Sequence, residues 1–218
     1  MRYQQVISMI EAGESMNVEF KQRFSDHEKI SKEIIAFANS KGGYIIFGVE
    51  DDKKITGVES EKSEAELIMD CARNYCEPPI DIKLHFVEVK HKELVIAEVP
   101  ESNLKPHRLQ DYNKKFDLNT AKVFIRINDK SIPAGKEMIK IMQSNSSKLQ
   151  LKNYKLGDEE KQVFDYLLVK EIITAKDLSE KANISIRRAS RTLIKLVRAG
   201  LLYIHTKDNG ENYFTSAT

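Results

Sequence analysis

The stretch Asp26–Asp52, DHEKISKEIIAFANSKGGYIIFGVEDD, decides the fold of the first part of the chain. Its first half places apolar residues at positions i, i+4, i+7 and i+8 of one helix face: Ile30, Ile34, Phe37 and Ala38. Gly42-Gly43 interrupts this pattern, and Tyr44–Val49 is then almost entirely apolar and rich in β-forming residues. The stretch therefore predicts an amphipathic helix over Asp26–Ser40, a glycine turn and a buried central strand.

Shorter signals on both sides of this stretch alternate between helix and strand. Before it, we predict a helix over Arg2–Ala12 and a strand over Asn17–Lys21. After it, we predict a helix, a hairpin, a strand and a last helix: Glu61–Tyr75, Ile80–Val89 with Leu94–Val99, Val123–Ile127, and Gly135–Gln143. Residues 1–143 are therefore predicted to form one mixed α/β domain.

The remainder of the chain has a different pattern. Residues 144–157, SNSSKLQLKNYKLG, are polar and start with small residues, as domain linkers commonly do. Beyond them we predict three helices and a hairpin: Asp158–Lys170, Thr174–Ala182, Ser185–Ala199, and Leu201–His205 with Asn212–Phe214. The hairpin turn contains Asn209-Gly210, a strong turn signal. Residues 158–218 therefore predict a winged helix-turn-helix, and the whole chain an α+β fold in two domains.

The predicted helix that begins at Ser185 separates charged from apolar residues. At about 100° per residue, its five cations fall within an arc of about 100°: Arg187, Arg188, Arg191, Lys195 and Arg198. Apolar residues lie opposite: Ala189, Leu193, Leu196 and Val197. No acidic residue occurs between Lys181 and Lys207. This pattern favours a recognition helix lying in the major groove of double-stranded DNA.

We expect the first turn of this helix to reach base edges and its later cations to hold phosphates. The residues expected to read bases are Ser185, Arg187, Arg188 and Arg191; Lys195 and Arg198 position the helix, and Lys207 of the wing contacts phosphate. Two other interpretations stay open, namely a solvated charged face and a winged helix that contacts protein.

Four blocks occur in order along roughly residues 9–142: AGESMNVEFKQ, KISKEIIAFANSKGGYIIFGVEDDKKITGV, VIAEVPESNLKPHR and VFIRINDKSIPAGKEMIKIM. Together they resemble the Schlafen/AlbA_2 family of DNA-binding domains. The resemblance implies a Schlafen-core-like α/β domain and a bacterial transcriptional regulator, because the family's domain often precedes a helix-turn-helix. It leaves three roles for the front domain: dimerisation, sensing, or extra nucleic-acid contact.

The resemblance also implies two alternatives. Schlafen relatives include metal-dependent endoribonucleases, whose acids lie in the blocks matched here by Glu14, Glu19 and the run 50–52, of which we take Asp51. Three convergent carboxylates would hold Mg²⁺ or Mn²⁺, which polarises a phosphodiester of RNA. Other members carry an ATP-binding label, so an ATP-binding regulator is the second alternative. The chain lacks the phosphate loop GxxxxGK[ST], and Gly42-Gly43 more simply permits a tight turn.

A second basic set lies in the first domain: Lys21, Lys105, His107, Arg108 and Arg126. Pro106 stiffens the loop that carries three of these residues, and the family has a similar loop and strand at these places. The set suggests a second nucleic-acid surface. The alternative interpretation is an ordinary surface loop together with an ion-paired strand arginine.

Composition excludes several classes of protein. The 218 residues include 35 Lys+Arg and 33 Asp+Glu, so a nucleic-acid surface must be local. No apolar run approaches the ~18 residues of a membrane span, and the start lacks the order of a signal peptide. Two cysteines cannot build a disulfide framework.

These observations together favour a cytoplasmic, DNA-binding transcriptional regulator rather than an enzyme. We expect no cofactor, with Mg²⁺ or Mn²⁺ required only under the nuclease alternative. We also expect a homodimer, because one winged helix offers few base contacts and a two-fold site doubles them.

Overall fold

The computed structural model describes residues 1–112, 115–146 and 156–217. These residues form two compact units, of which the first is Met1–Pro133 and the second begins at Ala134. No helix of the described residues combines the length and the apolar character that crossing a bilayer requires.

The described residues of the first unit form three α-helices and eight strands. The helices are α1 (Tyr3–Ala12), α2 (His27–Asn39) and α3 (Glu61–Asp70), which a π-helical turn at Cys71–Tyr75 extends. The strands are β1 (Val18–Lys21), β2 (Gly43–Phe47), β3 (Cys76–Glu77), β4 (Lys83–Val89), β5 (Lys92–Val99), β6 (Arg108–Leu109), β7 (Phe124–Ile127) and β8 (Lys130–Pro133). The helix and strand predicted from Asp26–Asp52 are confirmed as α2 and β2.

A four-stranded sheet of order β1-β2-β5-β4 organises this unit. β1 pairs with β2 in parallel, and the other two pairings are antiparallel. β3 with β6 and β7 with β8 form separate two-stranded ribbons. β2 therefore lies inside the sheet, as its nearly continuous apolar sequence predicts.

Hydrophobic residues cover both faces of this sheet. Ile45 and Phe47 of β2 belong to a core that α2 and the end of α3 also fill. Ile46, which points to the opposite face, joins Phe20 of β1 and residues of α1 in a second core. The strand is apolar at successive positions because each face of the sheet has its own helical cover.

The turn between α2 and β2 depends on glycine. A Cβ atom on Gly43 would lie 2.4 Å from Cε1 of Phe37 and 2.6 Å from the backbone oxygen of Asn17. Gly42 has φ +71°, a conformation that most residues adopt only at a cost. The two glycines thus allow the helix to pack directly against the start of the strand.

The second unit contains helices α4 (Lys136–Ser146), α5 (Asp158–Leu167), α6 (Ala175–Ala182) and α7 (Ile186–Arg198), then strands β9 (Leu202–Thr206) and β10 (Asn212–Ser216). The strands pair antiparallel as a wing. The main core of this unit collects residues from all these elements except α4: Val163, Ile173, Leu178, Ala189, Leu193, Leu196, Leu202 and Phe214. The predicted α+β fold class and winged helix are confirmed.

The helix predicted at the end of the first domain, now α4, belongs to the second unit instead. Glu137 of α4 accepts hydrogen bonds from the Ser190 hydroxyl of α7, at 2.8 Å, and from the Asn212 amide of β10, at 3.2 Å. These contacts join α4 to α7 and β10 of the winged helix. Most of the linker predicted at 144–157 lies outside the described residues, and the division at that linker stays a prediction.

Truncation of Phe20 tests the two-sided core. Phe20 is fully buried, and Phe86 of the same sheet is 51% exposed. We expect Phe20→Ala to lower the free energy of unfolding of the first unit by about 3–5 kcal/mol, and Phe86→Ala to lower it by about 1 kcal/mol or less. Thermal denaturation with hydrogen exchange at the sheet amides measures both. Equal losses in the two variants would contradict the described core.

Candidate nucleic-acid interface

Local capping sets the start of α6 and α7. Thr174 and Asp177 bond reciprocally at the start of α6, and Asn183 ends that helix with φ +51°. The Ser185 hydroxyl then accepts a hydrogen bond from the backbone N–H of Arg188, at 3.3 Å. Ser185, predicted to contact DNA, is therefore an exposed N-cap at the entrance of α7.

Burial of its apolar residues fixes the rotation of α7 about its axis. Ala189, Leu193 and Leu196 are fully buried in the core of the second unit. Ile194, which lies at the margin of the predicted apolar face, is also buried. With this face turned inward, the opposite face must be exposed to solvent.

The exposed face carries the predicted cations. Arg187, Arg188, Arg191 and Lys195 are exposed, and Arg198 is half-buried. Within the described part of the chain, Arg187, Arg191 and Lys195 have no ion-pair partner. The fold thus presents three unneutralised cations along one side of a helix.

Arg188 differs from its neighbours because it has a carboxylate partner within the unit. Its Nε lies 2.5 Å from one oxygen of Glu159, and the other oxygen accepts a hydrogen bond from the Thr192 hydroxyl at 2.9 Å. Glu159 belongs to the acidic first turn of α5. No sequence pattern predicts this contact; the acidic run Asp158–Glu160 is the only signal that an acid lies near.

Ile186 is a second residue that the sequence analysis missed. It is the first residue of α7, 59% exposed, and it is absent from the core of the unit. An apolar side chain is therefore exposed beside Arg187, so this turn offers a hydrophobic contact as well as positive charge.

The wing carries Lys207 at its tip. Its ammonium lies 2.8 Å from Glu211, and this hydrogen bond raises the pKa of Lys207. The contact partly neutralises the charge, and the role of Lys207 toward phosphate stays a prediction.

The three carboxylates predicted for a metal site lie in one neighbourhood of the first unit. Glu14 accepts a hydrogen bond from the backbone N–H of Phe20 at 2.9 Å. Burial raises its pKa, and the charges of Glu19 and Asp51 add to the effect. Across the described residues, no group of three or more His, Cys, Asp or Glu side chains is placed to hold a metal ion.

Glu19 is already occupied by cations of the protein. One of its oxygens lies 2.8 Å from Nη1 of Arg126, and the other pairs with the Lys21 ammonium. Glu19 is therefore the anion of a buried ion-pair network, and the residues present do not form a ligand set for Mg²⁺ or Mn²⁺.

Arg126 is the centre of that network. Its guanidinium contacts two carboxylates, a hydroxyl and a backbone carbonyl: Glu19, Glu33 at 3.3 Å, Ser131 at 3.2 Å and the Ser15 oxygen at 2.7 Å. It also stands 4.6 Å from the centroid of the Phe37 ring. These contacts tie β7 to β1, α2 and β8, so the role of Arg126 is to hold the first unit together.

The second basic set does not form a surface, which corrects that expectation. Arg108 is buried and paired with Glu77 and Asp111, both at 2.6 Å. Lys105 contacts Glu101 and the Ser40 carbonyl, at 2.7 and 2.8 Å. With Arg126 also buried and Lys21 paired to Glu19, the charges of this set face the protein's own acids.

His107, the remaining member, is a buried structural residue. Its Nδ1 lies 2.7 Å from the Pro78 carbonyl and its Nε2 lies 2.6 Å from the Ser102 hydroxyl. A neutral ring satisfies both contacts, with Nδ1–H donating and Nε2 accepting. Burial lowers the pKa of His107 below its ordinary value of 6.5.

The glycine pair packs closely against neighbouring atoms of the first unit. A Cβ on Gly42 would lie 2.7 Å from the Val99 carbonyl oxygen, and Gly43 is closed off by Phe37. The protein's own atoms therefore fill the space beside both glycines.

Comparison with known families assigns the first unit. Residues 14–135, more than half of the chain, match the model described as Schlafen, AlbA_2. The chain belongs to the Schlafen AlbA_2 family. Residues 151–215 match a second model, described as Sugar-specific transcriptional regulator TrmB. These matches confirm the architecture of a Schlafen AlbA_2 domain followed by a winged helix.

An individual related protein matches only part of this chain. A protein of Ureaplasma parvum serovar 3, described as an uncharacterized ATP-binding protein, is 30% identical over 132 residues, which are 52% of this chain and 37% of that protein. This member of the Schlafen AlbA_2 family thus spans little more than a third of that relative's length.

Two solved structures resemble the chain only loosely. The N-terminal domain of a RecG-related protein from Nitrosomonas europaea has 20% identity and a TM-score of 0.45, over 72% of this chain and all of that one. The DIP2311 protein of Corynebacterium diphtheriae has 15% identity and a TM-score of 0.46, over 98% of this chain and 39% of that one. Both TM-scores lie below 0.5, so neither likeness bears on function.

Acidification tests the internal role of His107. Its folded-state pKa lies below its unfolded value of about 6.5, so below that pH the unfolded chain binds a proton that the folded chain does not. Stability is full above the unfolded pKa and falls as pH drops toward the folded pKa, by up to about 1.4 kcal/mol per pH unit. Denaturation of the wild type at pH 7.5 and 5.5 measures this loss.

Two variants separate this effect from other titrations. We expect His107→Gln to flatten the pH dependence, whereas His91→Gln, at a side chain that is 99% exposed, keeps the wild-type slope. An unchanged slope in His107→Gln would show that the buried ring is not the cause.

Proposed function

We propose that this Schlafen AlbA_2 protein is a DNA-binding transcriptional regulator whose helix α7 lies in the major groove. One observation carries the proposal: Arg187, Arg191 and Lys195 are exposed on one face of α7 without internal ion pairs. Leu193 and Leu196 on the opposite face are fully buried, so these cations cannot turn inward. The matched description of residues 151–215 as a transcriptional regulator supports the same function.

The cations of α7 and of the wing divide into two roles under this proposal. Arg187 and Arg188 in the first turn reach base edges, because a helix-turn-helix presents the N-terminal end of its second helix to the groove. Lys195, Arg198 and the wing residue Lys207 lie on phosphates and fix the register.

The first unit would supply regulation rather than a second DNA surface. All five of its predicted basic residues are buried or paired to its own acids. Pairing of two chains and sensing of a signal are the roles we propose for it.

We further propose a homodimer in the cytoplasm. Light scattering with and without DNA measures the association, and a monomer in both conditions would exclude the dimer.

Removal of two exposed cations tests the proposed function. For Arg187→Ala/Arg191→Ala, we expect roughly 10- to 100-fold weaker binding to duplex DNA. We also expect the slope of log K against log salt to decrease in magnitude by about 2. The control Lys29→Ala/Lys41→Ala removes two lysines of the first unit, each 75% exposed, and should bind as the wild type does. Fluorescence anisotropy at several salt concentrations gives both quantities, and equal binding by both double variants would contradict the proposal.

The exposure of Ile186 predicts that the affinity for DNA depends on a thymine methyl group. An exposed apolar side chain in the first turn would contact that methyl in the major groove. Replacing thymine by uracil in a duplex selected by the wild type should weaken wild-type binding about 2- to 4-fold and leave Ile186→Ala unaffected. Leu168→Ala, at an equally apolar residue that is 85% exposed outside α7, should respond as the wild type does. A selected duplex in which no thymine matters would exclude this contact.

A further inference from the structure

We propose that Glu159 positions the Arg188 guanidinium for recognition of one guanine, and so acts as a specificity-determining residue that does not itself contact DNA. This inference rests on the proposed function of α7. It begins from the contact between Nε of Arg188 and one carboxylate oxygen of Glu159, at 2.5 Å.

The contact leaves the useful edge of the guanidinium open. Arginine has five N–H donors, and Nε supplies only one of them. Within the described residues, Nη1 and Nη2 of Arg188 have no partner, and the side chain is 68% exposed. These two terminal nitrogens are the pair that binds O6 and N7 of guanine together. Glu159 therefore holds Nε of Arg188, while the two terminal nitrogens of Arg188 face solvent.

Glu159 is itself held in place. Its second oxygen accepts the hydrogen bond from Thr192, one helical turn beyond Arg188. Its side chain is only 20% exposed, although it lies in the first turn of α5. The carboxylate therefore cannot follow Arg188 freely, and the arginine loses side-chain freedom before any DNA arrives.

Electrostatics separates positioning from affinity. A carboxylate beside the basic face repels phosphates, so Glu159 must weaken binding to DNA of any sequence. A pre-oriented guanidinium instead favours the correct base over others, because a bidentate pair requires both nitrogens in the plane of the base. Glu159 thus lowers the affinity for DNA of any sequence and raises the preference for one base. Its removal must therefore raise that affinity and lower that preference.

Asp158 provides the matched control. It precedes Glu159 in the same turn, its side chain is 95% exposed, and its ion pair is with Lys161 at 3.5 Å rather than with α7. Glu159→Gln and Asp158→Asn remove the same charge from adjacent positions. They differ in the contact with Arg188.

The experiment compares base preference with general affinity. Selection from a random duplex library with the wild type and with Arg188→Ala identifies the base pair that Arg188 reads. Affinities are then measured for the selected duplex, for a duplex changed at that pair alone, and for an unrelated duplex. We expect Glu159→Gln to reduce the preference at that pair about 3- to 10-fold and to bind the unrelated duplex more tightly. Asp158→Asn should bind the unrelated duplex more tightly and keep the full preference.

A second variant distinguishes lost positioning of Arg188 from a loss of base preference that is caused by unfolding. Thr192→Val keeps the charge of Glu159 and removes the hydroxyl that holds it, so we expect a smaller loss of preference without tighter binding to the unrelated duplex. A full preference in Glu159→Gln, an equal loss in Asp158→Asn, or no base preference lost in Arg188→Ala would each overturn the positioning role. If Arg187→Ala/Arg191→Ala left duplex binding unchanged, that result would instead overturn the proposed function itself.

Discussion

The rotation of α7 is the constraint on which the functional account depends. Leu193 and Leu196 are fully buried, and the arginines lie on the other side of the same helix. Turning the helix by half a revolution would expose these leucines and bury unpaired guanidinium groups, at a cost of several kcal/mol for each charge. The core of the second unit therefore decides which residues the solvent, and any polyanion in it, can reach.

The two units show opposite uses of the same residue type. Arg126 and Arg108 meet acids within the first unit and hold its strands and loops together. Arg187 and Arg191 meet no acid in the described residues and remain available to an external anion. Arg188 lies between these cases, because Glu159 engages one nitrogen and leaves the terminal pair open. The partner supplied by the fold, rather than the charge itself, distinguishes a structural arginine from a binding one.

Local patterns predicted the elements well and the partners of charged residues poorly. The helix α2, the strand β2 and the two faces of α7 follow from spacing that a short window of sequence contains. The burial of Arg126 depends on Glu19, which lies 107 residues away along the chain. The short ribbon of β3 with β6 and the pairing of Arg108 with Glu77 likewise depend on distant segments. No local periodicity reports such contacts, and the second basic set was for this reason mistaken for a surface.

The most direct test follows the backbone amides of the full-length protein by NMR during titration with duplex DNA. We expect the largest shifts in Ser185–Arg191 and in the wing around Lys207, while amides of the sheet β1-β2-β5-β4 hardly move. Shifts concentrated around Glu14, Glu19 and Arg126, with α7 unchanged, would contradict this expectation and would place nucleic-acid binding on the Schlafen AlbA_2 domain instead.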